Sequence, residues 1–130
     1  MALTRNQLAQ LPYAYFAAVD AKDLEGALAF FSDAATFTIQ SAHTTYNGKA
    51  EIAGMFRGFL ADFATIVHNP VNITVDETAQ RIASEQICPH VANDGTLVTL
   101  TTVNLFDIDA AGKIERVMLW IDGASPLTGE

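Results

Sequence analysis

YFAAVDAKDLEGALAFFSDAATFTI, residues 15–39, holds the change of period that decides the fold. Tyr15, Phe16 and Val19 continue an apolar stripe begun by Leu8 and Leu11, spaced as on one face of a helix. Asp20 ends that stripe. Asp23 then reads as the N-cap of a short second helix, with Leu24, Ala27, Leu28 and Phe31 on its buried side. From Ala35 to Ser41 the period falls to two, Phe37 and Ile39 alternating with Thr36 and Thr38, which predicts a strand.

Upstream, Thr4 and Gln7 form a capping box that opens the first helix, and Pro12 should kink it or mark its true first turn. Downstream, Tyr46-Asn47-Gly48 reads as a turn into a third helix, whose broad apolar face is Ile52, Met55, Phe56, Phe59, Leu60 and Phe63. Beyond Ile66 the period is two throughout. Strands are expected over Val67 to Val75, Gln80 to Val91, Thr96 to Ile108 and Lys113 to Ile121. Asn93-Asp94-Gly95 is a hairpin signal between the second and third of these. Helices first and a long meander after them imply an α+β domain, with helices on one face of a curved sheet. One domain over residues 1–124 and a tail at 125–130 account for the chain.

Composition narrows the function. The net charge is −8 and only seven residues are Lys or Arg, which argues against nucleic acid and against an anionic membrane surface. The start, MALTRNQLAQL, lacks the apolar core of a signal peptide, and no segment is long and apolar enough to span a bilayer, so a cytoplasmic location is expected. A single cysteine, Cys88, excludes an intrachain disulfide and a multi-cysteine zinc site.

Two residues stand at equivalent joints of the pattern: Asp20 after the first helix, and His68 where the helical segments give way to strands. A carboxylate that orients a histidine makes it a competent general base near neutral pH. Asp20 is equally readable as a solvated acid in a turn, and His68 as a structural histidine bonded to a carbonyl. His90 follows Pro89, which marks a strand edge or bulge. A metal held by His68, His90 and Asp20 has no spacing signature behind it, and no Gly-rich phosphate loop is present, so neither metal nor cofactor is expected.

The stretch quoted above, with YNGKAEIAGMF (46–56), VHNPVNITVD (67–76) and LFDIDAAGKIERVMLWID (105–122), resembles the SnoaL-like branch of the nuclear transport factor 2-like superfamily over nearly the whole chain. That resemblance implies a cone of three helices wrapped by a bent sheet around an apolar pocket, and a homodimer paired through the sheet's outer face. Within the superfamily, ketosteroid isomerases are matched at Tyr15 only: Ile39 falls where their base belongs and Thr102 where their second acid belongs. For polyketide cyclases of the SnoaL type, Asp122 is the one candidate acid. The histidine–aspartate pair of scytalone dehydratase and the hexachlorocyclohexane dehydrochlorinase is similar to His68 and Asp20, the latter following Ala18-Val19, and Pro89-His90 resembles the second pocket histidine of scytalone dehydratase. Ile39 and Tyr15 depart from those two enzymes.

These readings imply a cofactor-independent enzyme acting on a small apolar molecule. His68 and Asp20 would be catalytic, and Tyr15, His90, Phe56, Thr102, Asn104 and Trp120 would contact substrate. A non-catalytic ligand-binding or dimerisation module on the same fold is the alternative, favoured if Asp20 and His68 lie apart.

Overall fold

The computed structural model describes residues 2–122. The tail expected at 125–130 lies outside them.

Helix α1 (Arg5–Asp20) opens with the capping box read from Thr4 and Gln7. Pro12 lies inside it and is buried with Leu8, Leu11 and Tyr15, so the helix runs through the proline without its N–H. At the far end the Lys22 N–H donates to the Val19 carbonyl and the Asp23 N–H to the Ala18 carbonyl. This Schellman pair puts Lys22 in the left-handed region, at φ 58°, a position that usually takes glycine. The Lys22 ammonium donates onward to the Phe63 carbonyl, tying the end of α1 to a distant segment.

Asp23 caps α2 (Leu24–Leu28) by accepting the Gly26 N–H at 2.9 Å. Strand β1 (Phe31–Ile39) starts four residues before the alternation becomes regular, because a bulge between Phe31 and Thr36 breaks its early register. Phe31 is therefore a strand residue, not part of α2. After a 3₁₀ turn comes β2 (Thr44–Asn47), read from the sequence only as a turn. It is an edge strand of four residues whose partner is β1.

Helix α3 (Gly48–Asp62) buries Ile52, Met55, Phe56 and Phe59. It ends before Phe63, so His68 stands beyond an intervening strand β3 (Phe63–Thr65) and not at the helix end. The remaining strands are β4 (Asn69–Asp76), β5 (Arg81–Ala92), β6 (Leu97–Ile108) and β7 (Ile114–Ile121), each within two residues of its expected bounds. The sheet order is β2-β1-β7-β6-β5-β3, with β4 also on β5. The meander is antiparallel, and parallel pairing of β7 with β1 closes it into a mixed sheet.

Strand β5 shares one edge between two partners. Asn69 pairs with Ile87 and Thr65 with Val91, which leaves residues 66–68 facing 88–90 without a ladder. Pro89, in the middle of that gap, has no N–H to offer. His68 sits in the gap. Inside the sheet's curve, Tyr15 meets Phe31 and Phe106 edge-on at centroid distances of 5.7 and 5.6 Å, with all three rings buried.

Candidate functional site

Side chains take over where the ladder stops. The Asp20 carboxylate accepts the His68 backbone N–H at 2.8 Å and, through its other oxygen, the His68 Nδ1–H at 2.5 Å. One carboxylate thus fixes both the loop and the ring it carries. Phe16, one turn before Asp20 on α1, stacks on the imidazole at 4.5 Å and 11°. With Nδ1 committed as a donor, Nε2 keeps its lone pair, and no protein group among the described residues bonds to it. Asp20 owes its position to the Schellman end of α1.

His68 faces a cavity with walls that include Phe16, Val19, Phe37, Phe56 and Phe59. Its volume is about 40 Å³. That is close to a few waters, so the cavity is narrow in this state. A roomier groove of about 600 Å³ runs outside, between α1 and α2, but among the described residues Lys113 is its only titratable side chain. The narrow cavity has in its wall His68, the ring that Asp20 holds.

His90 also faces the cavity, 2% exposed. Its Nδ1 accepts the Val67 N–H at 3.1 Å, so the proton sits on Nε2 and the ring presents a neutral N–H donor. Burial first, and then the neighbouring His68, lowers its pKa to about 4, against a smaller opposing pull from Asp20. In the unfolded chain the ordinary value of 6.5 returns. Unfolded His90 therefore binds a proton between those values and folded His90 does not, so its contribution is full above pH 6.5 and is lost as pH falls toward 4. His90→Gln should remove about 3 kcal/mol of the acid sensitivity of folding across that window. Denaturant titrations at several pH values that show equal slopes for both proteins would contradict this.

His68, Cys88 and His90 bring one ring nitrogen or sulfur each to within 4.8 Å of one another. As a metal site the trio fits poorly. His90 carries its proton on the nitrogen left to face the others, and burial pushes the Cys88 thiol up to about 11.

Thr102 and Asn104 line the cavity, joined by a residue the sequence reading passed over. Gln86, fully buried on β5, donates to Thr102 Oγ1 at 2.8 Å and to Asn104 Oδ1 at 2.7 Å. Its parity with Cys88 and His90 was the available signal. Tyr15 and Phe56 also line the cavity, and burial holds the Tyr15 phenol far above its ordinary pKa. Its hydroxyl makes no bond among the described residues.

Trp120 is a correction. It is 39% exposed on the sheet's outer face beside Val103, because its neighbours Leu119 and Ile121 take the inward positions of β7. Asp122 is outside as well, accepting the Thr101 N–H at 2.8 Å. Ile39 is fully buried and Thr102 is bonded to Gln86, so neither an aspartate base nor a second acid stands where ketosteroid isomerases need one. No turnover of a 5-ene-3-ketosteroid is expected. Robust isomerisation would overturn that residue assignment.

The profile of the SnoaL-like domain matches residues 13–117. The chain belongs to the SnoaL-like family. Through it the chain belongs to the nuclear transport factor 2-like superfamily. A Novosphingobium aromaticivorans protein provisionally named an aromatic ring hydroxylase shares 25% identity with this SnoaL-like chain at a TM-score of 0.79, over 95% of this chain and 93% of its own. A provisionally named polyketide cyclase of Xanthomonas campestris pv. campestris has the same fold at 21% identity and TM-score 0.79, over 89% and 90%. AusH of Aspergillus nidulans has it at 19% and 0.81, over 98% and 92%. No curated protein matches this SnoaL-like chain in sequence.

Proposed function

We propose that this protein is a cofactor-independent enzyme in which His68, held by Asp20, removes a proton from carbon beside a carbonyl group of a small, largely apolar substrate. The observation that carries this is the 2.5 Å contact between Asp20 Oδ1 and His68 Nδ1, which leaves Nε2 as a base at an apolar cavity. As the C–H bond breaks, its electron pair moves into the carbonyl and negative charge gathers on oxygen. The neutral His90 N–H and the Tyr15 hydroxyl are donors available to that oxygen. Asp20 meanwhile offsets the charge of the imidazolium.

The enolate has three fates. Reprotonation at another carbon is isomerisation, loss of a neighbouring leaving group is elimination, and attack on a second carbonyl of the same molecule is cyclisation. The polyketide-cyclase names carried by SnoaL-like relatives favour cyclisation or isomerisation. The test is deuterium uptake at the activated carbon of aryl 1,3-diketones in D₂O, followed by NMR. Uptake well above the buffer rate is expected. Uptake no faster than buffer, with these compounds bound, would favour the ligand-binding alternative.

We also propose that two copies pair through the outer sheet face. Trp120, Val103 and Ile87 are 38–43% exposed there, large apolar groups that a second copy would cover. Sedimentation should give a dimer at micromolar concentration, and Val103→Glu combined with Trp120→Glu should shift it to monomer. A monomeric wild type would refute the pairing.

A further inference from the structure

We propose that Gln86 is a positioning residue that locks the polarity of the Asn104 amide, so that the cavity wall offers N–H donors and selects a ligand with an anionic or carbonyl oxygen. The hydrogen count carries this. Gln86 Oε1 accepts from the Ser84 hydroxyl, while the two hydrogens on Nε2 go to Thr102 Oγ1 and Asn104 Oδ1. Turned over, the amide would aim both hydrogens at Ser84, where a single oxygen waits, and one would be stranded. Ser84 and Gln86 are 1% and 0% exposed, so no solvent is at hand to receive it. Only the first orientation satisfies every group.

Asn104 inherits its orientation from that choice. Its oxygen is taken by Gln86, so its NH₂ points away from the bond. No group among the described residues accepts from that NH₂, yet no side-chain N or O buried there lacks a partner. The Asn104 Nδ2 must therefore touch open space, and Asn104, 3% exposed, lines the cavity. An amide free to rotate would offer oxygen or nitrogen to any ligand. One clamped by Gln86 offers nitrogen, at no cost of reorganisation when negative charge arrives. Thr102 keeps less to give, since its hydroxyl is shared with the Cys88 sulfur at 3.7 Å.

This deepens the enolisation reading of the same cavity, but its tests use no turnover. Side-chain amide exchange in ¹⁵N-labelled protein, assigned with Gln86→Glu and Asn104→Asp, reads the lock without a ligand. Both Gln86 protons should exchange about tenfold or more slowly than the Asn104 pair. The opposite order overturns the proposal. The ligand test compares 4-nitrophenolate with 4-nitroaniline, equal in shape and opposite in hydrogen bonding at one end. Wild type should prefer the phenolate. Gln86→Met removes the Nε2 donors without adding charge, frees the Asn104 amide to turn its oxygen to the cavity, and should weaken phenolate binding about tenfold or more while strengthening the aniline. That crossing is beyond a merely structural role, which would weaken both. Loss of both, or a wild type with no preference (including one that binds neither probe), overturns it. Should Gln86→Met fail to fold, Asn104→Ala, which removes the donor and adds no charge, must show the same phenolate loss. Normal turnover by His68→Ala would remove the base and leave these results standing.

Discussion

His68→Ala should slow deuterium uptake into an activated C–H by about 10²–10⁴-fold, the span a positioned general base contributes. Among the described residues, the imidazole is the sole cavity group with both a free lone pair and a counter-charge behind it. His90 cannot substitute, because the Val67 N–H occupies its Nδ1 and holds the proton on Nε2. Tyr15 cannot either, since burial keeps its phenol protonated. The variant should fold: the His68 side chain is 12% exposed, and the main apolar packing it would give up is the ring stacking on Phe16. Circular dichroism and a thermal melt would separate lost chemistry from lost structure. Added imidazole should restore part of the rate by entering the vacated space, because the Asp20 carboxylate remains to orient it. A variant that exchanges deuterium at the wild-type rate would end the general-base reading.

The helix and strand periods were legible because each buries one face against the same core. Leu8, Leu11, Tyr15, Phe16 and Val19 are all buried where the 3.6 spacing put them. The short strands β2 and β3 were not legible: four and three residues give no alternation to read, and pairing with β1 and β5 defines them. For Asp20 and His68 the residue types and joints were visible, but the contact between them is tertiary. It depends on the Schellman end of α1 and on the break in pairing along β5. Gln86 was hidden by habit, since a lone glutamine in a strand normally faces water. Trp120 was misplaced for the opposite reason. Its size suggested the interior, whereas the alternation of Val117, Leu119 and Ile121 turns it outward. Parity outranked hydrophobicity.

Asp20→Asn should cost about as much as removing the histidine, on the order of 10³–10⁴-fold, while leaving the geometry nearly intact. The replacement keeps size and shape. Its amide oxygen can still accept the His68 backbone N–H, which Asp20 now holds at 2.8 Å. Its NH₂, however, lies where Asp20 Oδ1 accepts the ring proton. Two donors cannot face each other, so Nδ1 must become the acceptor and the proton must move to Nε2. The nitrogen that should take a proton from substrate would then already carry one. The counter-charge for the imidazolium is lost in the same change. The two losses make different marks: the wrong tautomer moves the ring proton to the nitrogen that faces substrate, while the missing carboxylate leaves the imidazolium formed in the reaction without its counter-charge. Ring ¹⁵N shifts of His68 should therefore report Nδ1–H in wild type and Nε2–H in the variant, with little change in melting temperature. Asp20→Glu, one methylene longer, should recover the tautomer but not the full rate. Unchanged ring shifts together with an unchanged rate in Asp20→Asn would remove Asp20 from the mechanism.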